Sequence, residues 1–463
     1  MKSLNLLFLS FTLLSLIQFT AADAAADRVA YIPGWPSPIP FDVYAGYLDI
    51  PNAARSLFYI MTMSQHDPAN APVVLWLNGG PACSSLMGFA SEVGPFVFED
   101  GQSQVNGTLN PYAWNKRANL VFLESPAGVG FSQANVSATS YSDNETCIEQ
   151  LAGLIVFFAR FPNLAKNEFY IAGESYAGIY IPNLAAAIDA HNAKVGRSDP
   201  TFINLKGIMV GNGVANRSSL TGASIEFYYK HDFIPEKYYQ MVMKYCYGTP
   251  GDQLACNFIN SIVNSMLDGV NPYSVYRECF PNPSQPLQRN YLYRYTPWYP
   301  LKTGKKLGTT IIPCVLSTGG YAFFNNPAVR QALHVNDTRY WDSCNDNIFR
   351  KYVKQGPGTV GQYQYLKGKG YKILVYGGDT DAVVPISDAI KWVYGLGWDT
   401  ITPYGPWYCD GQLAGWTAQF DGVNLTTVRG AGHMVPQWSR PQAFLLFDSF
   451  INGTALPTDP LAS

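Results

Sequence analysis

The chain lacks several features that would point to common classes of function. Only 14% of its 463 residues are charged and the formal net charge is −2, so there is no electrostatic basis for binding nucleic acid or an acidic membrane surface. It has no internal repeat and no low-complexity tract, and its eight cysteines show no paired C-x-x-C spacing, which disfavours a zinc site. Hydrophobic residues make up 47% of the chain, which is enough to bury a large core.

Long apolar runs are also absent, except at the N-terminus. There, Lys2 precedes an apolar run over residues 4–19, and small residues follow at positions 21–24. This order is typical of a secretory signal and predicts cleavage after Ala24. The sequence therefore predicts entry into the secretory pathway, with the extracellular space or the vacuole or lysosome as destination. No stable membrane insertion is expected, because no other run approaches membrane-spanning length.

Cysteines and glycosylation motifs agree with that compartment. Eight cysteines in an oxidising lumen are expected to form disulfides. Seven N-x-S/T motifs behind a signal peptide predict some N-glycosylation. These motifs begin at Asn106, Asn135, Asn144, Asn216, Asn336, Asn424 and Asn452.

Five short apolar runs are predicted to be buried strands. They are residues 73–77, 119–123, 168–172, 208–210 and 372–376. Strands that are apolar on both faces belong in a sheet covered by helices on both sides. Helical patterns such as residues 148–161 and 179–191 lie between these runs. The alternation predicts an α/β protein with a mostly parallel central sheet.

The alternation of strands and helices breaks between about residues 214 and 321. This stretch is rich in Tyr, Pro and Asn and contains four of the eight cysteines. We interpret residues 214–321 as an inserted, disulfide-stapled cap subdomain. Residues 1–24 are then the signal peptide, and residues 25–213 and 322–463 form the α/β core.

Ser175 is the candidate nucleophile. Residues 173–178 read Gly-Glu-Ser-Tyr-Ala-Gly and lie between a predicted strand and a predicted helix. A serine at such a sharp turn projects its hydroxyl above the sheet edge, and small flanking residues allow the turn. The helix N-terminus behind it favours developing negative charge. Taken alone, the pattern fits an ordinary strand–helix connection equally well.

A serine nucleophile needs a base and an acid. Of five histidines, His433 stands in a small-residue loop, after a predicted strand at 425–428 and before a helical pattern at 440–451. Asp379 and Asp381 follow the strand at 372–376, and their spacing does not separate them. The order Ser…Asp…His is that of the α/β-hydrolases. The remaining histidines have ordinary surface or structural explanations; they are His66, His191, His231 and His334.

Several longer motifs run along the chain: W-L-N-G-G-P-A-C-S-S-L at 76–86, E-V-G-P-F at 92–96, E-S-Y-A-G at 174–178, D-T-D at 379–381 and G-H-M at 432–434. Together they resemble the motifs of the serine carboxypeptidases. The resemblance runs from about residue 44 to about residue 451. It implies an α/β-hydrolase fold and release of C-terminal residues from peptides and proteins, with no metal or organic cofactor. A monomer and a homodimer both stay open.

The resemblance also implies roles for particular residues. The triad would be Ser175, His433 and Asp381, rather than Asp379, and the oxyanion would lie between the backbone N–H groups of Gly80 and Tyr176. The substrate α-carboxylate would be bound by Asn78, the backbone N–H of Gly79, Glu92 and Glu174. Acidic side chains can bind a carboxylate only if one keeps a proton, so activity is expected at acidic pH.

Disulfide pairs are implied in the same way. Cys83 would pair with Cys344, Cys246 with Cys256, and Cys279 with Cys314. Cys147 and Cys409 would form a fourth bridge or stay free.

One residue departs from the family pattern. Ala82 stands where the family has glycine, and a positive φ there would make its methyl group costly. Two alternatives to a peptidase are an acyltransferase on the same scaffold and a catalytically silent binding or protective protein. Such acyltransferases often carry aspartate before the nucleophile, so Glu174 favours the peptidase. The complete triad disfavours the silent protein.

Overall fold

The computed structural model describes residues 21–98, 107–247, 253–277 and 318–461. The strands in these ranges are β1 (Arg28–Val29), β2 (Val43–Asp49), β3 (Ser56–Thr62), β4 (Val73–Leu77), β5 (Phe96–Val97), β6 (Thr108–Leu109), β7 (Asn119–Leu123), β8 (Phe169–Glu174), β9 (Leu205–Gly211), β10 (Lys372–Gly378), β11 (Thr400–Cys409), β12 (Gln412–Phe420) and β13 (Val423–Val428). The five strands predicted from apolar runs are all present.

The helices were predicted less completely than the strands. They are α1 (Ala21–Ala26), α2 (Asp143–Arg160), α3 (Ala177–Val195), α4 (Arg217–Lys230), α5 (Glu236–Cys246), α6 (Gln253–Met266), α7 (Thr318–Asn325), α8 (Pro327–Ala332), α9 (Asp346–Lys351), α10 (Val360–Gly368), α11 (Ile386–Gly395), α12 (Val435–Trp438) and α13 (Arg440–Asn452). A π-helical turn spans Gly88–Glu92. No helix in the described ranges combines the length and apolarity needed to cross a membrane.

One sheet of eleven strands organises the fold, in the order β1-β2-β3-β7-β4-β8-β9-β10-β13-β12-β11. The six strands from β7 to β13 in this order run parallel. Antiparallel strands extend the sheet at both edges, β1 to β3 on one side and β12 and β11 on the other. This is the mostly parallel α/β-hydrolase sheet that the sequence predicts, with antiparallel edges that it did not reveal.

Two hydrophobic cores cover the two faces of the sheet. On β4, Val74 and Trp76 belong to one core, while Leu75 and Leu77 belong to the other. Because consecutive side chains of a strand point to opposite faces, a strand between two cores must be apolar at every position. That is why the central strands are continuous apolar runs.

Helices α4, α5 and α6 lie within the predicted cap and have their own small core. A segment at residues 271–277 then returns to the sheet. Its Val275 N–H donates to the carbonyl of Thr380 at 3.1 Å, and the Ala382 N–H donates to the carbonyl of Pro272 at 2.9 Å. Residues 248–252 and 278–317 of the predicted cap, and residues 1–20 of the predicted signal peptide, lie outside the described residues. The domain boundaries stay predictions.

Candidate active site

Ser175 occupies a strained turn between β8 and α3. Its φ is 63°, in the left-handed region that costs a non-glycine residue about 1 kcal/mol. The Ser175 N–H donates to the carbonyl of Gly211 at 3.1 Å, and its own carbonyl accepts from Gly178 at 2.9 Å and Val214 at 3.0 Å. A Cβ atom on Gly173 would lie 2.0 Å from a backbone oxygen of β4. The turn is therefore fixed by its neighbours and requires small flanking residues.

His433 and Asp381 form a buried pair at the same edge of the sheet. The imidazole Nδ1 lies 2.7 Å from Asp381 Oδ2, with exposed fractions of 2% for the histidine and 0% for the aspartate. The carboxylate also accepts backbone N–H groups from Val383 at 2.8 Å and Val384 at 3.1 Å. A carboxylate against Nδ1 makes that nitrogen the N–H donor, which leaves Nε2 as the basic atom of the ring.

Asp379 has a different environment. Its Oδ1 accepts the N–H of Gly430 at 2.7 Å, and its own N–H donates to the carbonyl of Val428 at 3.3 Å. Burial raises the pKa of Asp379. Asp379 therefore hydrogen-bonds to the backbone of the loop that carries His433, whereas Asp381 contacts the imidazole itself.

The loop after β4 approaches the turn at Ser175 closely. A Cβ atom on Gly79 would lie 2.3 Å from the backbone nitrogen of Tyr176, so only glycine fits there. Gly80 has a φ of +112°. Within the described ranges, the N–H groups of Gly80 and Tyr176 donate to no protein acceptor. Two free N–H groups beside a serine are the components of an oxyanion hole.

Ala82 has a φ of 68° and is fully buried. Its N–H donates to the hydroxyl of Tyr180 at 3.3 Å, and its carbonyl accepts from Asn345 at 2.9 Å. The loop therefore holds alanine in a left-handed conformation, which costs about 1 kcal/mol.

Asn78 joins two buried carboxyls beside the serine. Its Nδ2 donates to Glu92 Oε1 at 3.0 Å and to Glu174 Oε1 at 3.1 Å. Its Oδ1 accepts from Trp76 Nε1 at 2.9 Å and from the Gly88 N–H at 3.0 Å. Because both donors point at Oδ1, the orientation of the amide is fixed.

Glu92 and Glu174 form a strongly coupled pair. Burial raises the pKa of Glu174 well above its ordinary value, and the charge of Glu92 raises it further. Burial also raises the pKa of Glu92, and the hydrogen bond from Asn78 opposes that rise. Within the described ranges, Oε2 of each carboxyl has no hydrogen-bond donor. A single proton held between the two groups would remove the repulsion between two carboxylates and would give their Oε2 atoms a hydrogen bond.

The other predicted sites are placed as follows. Disulfides join Cys83 to Cys344 and Cys246 to Cys256. Cys147 and Cys409 carry no disulfide in the described part of the chain. Cys279 and Cys314 lie outside the described residues.

The predicted glycosylation motifs differ in exposure. Asn135, Asn144, Asn336 and Asn452 are exposed, Asn216 and Asn424 are half-buried, and Asn106 lies outside the described residues. His191, His231 and His334 contact backbone carbonyls elsewhere.

Sequence reasoning missed Glu124, a fully buried carboxyl behind the loop after β4. It accepts hydrogen bonds from the Ser84 hydroxyl, from Trp341 Nε1 at 2.8 Å and from the Phe131 N–H at 2.7 Å. Burial raises its pKa to about 7. A glutamate directly after an apolar strand and before a run of small residues was the available signal.

Comparison with known proteins places the chain in a family. The family model described as serine carboxypeptidase matches residues 33–453. "Serine carboxypeptidase 24" of Arabidopsis thaliana is 37% identical, and the alignment covers 93% of each chain. "Serine carboxypeptidase-like 27" of the same species is 39% identical, again covering 93% of each chain.

A third relative and one solved structure agree with this assignment, the structure in its fold. "Serine carboxypeptidase 1" of Hordeum vulgare is 33% identical over 94% of each chain. The crystal structure of Kex1(delta)p, a prohormone-processing carboxypeptidase from Saccharomyces cerevisiae, has the same fold, with a TM-score of 0.75 and 20% identity over 93% of this chain and 96% of that one. The protein belongs to the serine carboxypeptidase family.

Proposed function

We propose that the protein is an active serine carboxypeptidase that releases single residues from the C-termini of peptides at acidic pH. The observation that carries this proposal is the buried Glu92–Glu174 pair. Glu174 directly precedes the nucleophile in sequence, and Asn78 donates to both carboxyls. An endopeptidase or a lipase has no use for two coupled carboxyls at this position. An exopeptidase can use them to bind the free α-carboxylate of its substrate.

The chemistry follows the serine-hydrolase sequence. His433 Nε2 removes the Ser175 hydroxyl proton as Oγ attacks the scissile carbonyl, and Asp381 stabilises the imidazolium that forms. The N–H groups of Gly80 and Tyr176 bind the tetrahedral oxyanion, each worth about 3 kcal/mol. The imidazolium then gives its proton to the leaving amino acid. Water, deprotonated by His433, hydrolyses the acyl-enzyme and regenerates the serine.

Recognition of the substrate carboxylate depends on the shared proton. When substrate binds, the proton shared by the two carboxyls and one of the two Asn78 N–H groups turn from the pair to the substrate carboxylate and donate to it. When pH rises and that proton leaves, two carboxylates face a third and binding is lost. Because the pKa values of both groups are raised, the proton is retained beyond the ordinary range of glutamate. Acidic pH, as in a vacuole, lysosome or secretory compartment, is the expected working condition.

The test is release of the C-terminal residue from an N-blocked dipeptide, measured from pH 4 to 8. We expect release with an acidic optimum, abolished in Ser175→Ala and sharply reduced for the C-terminally amidated dipeptide. Folded wild-type protein that releases nothing would contradict the proposal. If the same protein hydrolysed or transferred an activated acyl ester, the acyltransferase alternative would replace it.

A further inference from the structure

The side chain of Tyr176 is held by a partly buried ion pair that the mechanism above does not use. Its hydroxyl donates to Asp143 Oδ1 at 2.8 Å and accepts from Arg217 Nη2 at 2.9 Å. The same Arg217 nitrogen donates to Asp143 Oδ2 at 2.7 Å. These three side chains form a closed triangle of charge-assisted hydrogen bonds. The exposed fraction of Tyr176 is 4%, so little water competes with it.

Each corner of this triangle is fixed to a different part of the fold. Asp143 is the first residue of α2, whose N-cap Ser142 accepts from the Glu145 N–H at 3.2 Å. Arg217 is the first residue of α4, the first helix of the predicted cap. It also donates to the carbonyl of Gly356 at 2.8 Å. The ion pair therefore connects the core, the cap and the residue that follows the nucleophile.

The position of Tyr176 gives this arrangement a consequence for catalysis. Its backbone N–H is one of the two proposed oxyanion donors, and α3 begins at the next residue. The Tyr176 ring also packs edge-on against Tyr180 and Tyr352. With the ring packed and the hydroxyl held on both sides, the backbone of Tyr176 has little freedom. An oxyanion donor stabilises a transition state only when it is already aimed at the developing charge.

We propose that Arg217 and Asp143 are positioning residues, which act through the Tyr176 hydroxyl to hold the Tyr176 backbone N–H in the oxyanion hole. This inference rests on the proposed function, because it assigns the oxyanion to that N–H. This role requires no contact of either side chain with substrate. The effect is transmitted by the tyrosine ring, so it requires the hydroxyl.

Loss of the ion pair should lower kcat with little change in KM. Complete removal of an oxyanion donor costs about 100-fold or more in kcat, and a misaimed donor should cost part of that. For Arg217→Gln and for Tyr176→Phe we expect kcat to fall about 10-fold and KM to stay within about twofold. Asp143→Asn keeps an acceptor for the hydroxyl and should cost less.

The decisive measurement is a double-mutant cycle on kcat with an N-blocked dipeptide. If Arg217 acts through the Tyr176 hydroxyl, Arg217→Gln should have no further effect once Tyr176→Phe is present. The affinity of a peptidyl aldehyde, whose adduct with the serine carries the oxyanion, should fall in parallel with kcat. Multiplicative losses in the double variant, or a loss expressed in KM alone, would overturn the inference.

A matched control is available on the same helix. Arg160 is the last residue of α2 and pairs with Asp27 at 2.6 Å, about 25 Å from Asp143 at 1.5 Å per residue. Asp27→Asn should lower the melting temperature and leave kcat unchanged. Arg217→Lys, which keeps the charge, serves if Arg217→Gln does not fold, and should recover part of kcat.

Hydrolysis of a p-nitrophenyl ester, run on every variant, separates this inference from the proposed function. Ester cleavage needs the oxyanion hole but no α-carboxylate. A wild type that cleaves the ester and no peptide would contradict the proposed function, while the ester rates would still test the ion pair. Equal ester rates in wild type, Arg217→Gln and Tyr176→Phe would refute the positioning role.

Discussion

Glu124→Gln tests whether a single buried carboxyl makes the fold less stable at neutral pH. The Glu124 side chain is fully buried, and its hydrogen bonds come from a hydroxyl, an indole N–H and a backbone N–H. Burial raises its pKa from 4.5 to about 7. The folded state therefore prefers the protonated form more strongly than the unfolded chain does. The stability that this preference contributes is complete below pH 4.5 and is lost as pH rises through about 7.

The magnitude follows from the change in pKa. At about 1.4 kcal/mol for each pKa unit, the free energy of unfolding should fall by about 3 kcal/mol between pH 4.5 and 7.5 because of this group. Glutamine has the same shape and does not titrate. Its amide N–H would face the Phe131 N–H, which costs about 1–2 kcal/mol at every pH. The variant should thus be about 1–2 kcal/mol less stable than wild type at pH 4.5 and about 1–2 kcal/mol more stable at pH 7.5.

The assay is urea unfolding of wild type and Glu124→Gln at half-unit steps from pH 4.5 to 8. Other titrating groups affect both proteins, so the difference between the two isolates Glu124. We expect that difference to change by about 3 kcal/mol across the series. A difference that is independent of pH would refute the reasoning, since the carboxyl would then titrate alike in the folded and unfolded states.

Three further predictions concern stability and modification. Ala82→Gly removes the strain of a left-handed alanine but gives the unfolded chain more conformational entropy, and these two effects oppose each other. The free energy of unfolding, measured by thermal unfolding, should therefore change by less than about 1 kcal/mol, and peptidase activity should be kept. A larger change would show that the two effects do not offset each other. Asp27→Asn removes the partly buried carboxylate that pairs with Arg160 and should cost about 3 kcal/mol in urea unfolding. A loss below about 1 kcal/mol would show that the pair is effectively solvated. Asn424 should carry no glycan, because it lies on β13 between β10 and β12 and Thr426 of its motif is fully buried. Detection of a glycopeptide containing Asn424 by mass spectrometry would contradict this prediction.

The central strands could be predicted from sequence because burial on both faces makes them continuous apolar runs. The edge strand β11 could not be predicted in this way. Its first five residues, Thr400 to Tyr404, are exposed, and it contains two prolines, so it shows neither an apolar run nor a clear alternation. β3 is buried throughout and could have been found by the criterion that identified β4. The omission of β3 hid the antiparallel edge that precedes β7 in the sheet.

At the site, the motifs predicted the residues that we propose to act on the substrate. Spacing alone did not separate Asp379 from Asp381, because both lie in one short loop and only the contact with His433 distinguishes them. The supporting side chains were not predictable from local pattern. Asp143 and Arg217 are 74 residues apart in the chain, and nothing near either residue indicates that they share the hydroxyl of Tyr176. Such contacts depend on tertiary packing.

The proposed function depends most on a proton that Glu92 and Glu174 share and that binds the substrate carboxylate. The measurement that tests it most directly is the pH dependence of KM for an N-blocked dipeptide, in wild type and in Glu174→Gln. The wild-type KM should rise as pH increases and the raised pKa values are passed, because the donor O–H is lost. In Glu174→Gln the amide donates at every pH, so KM should rise much less. Identical pH profiles of KM in the two proteins would contradict the claim.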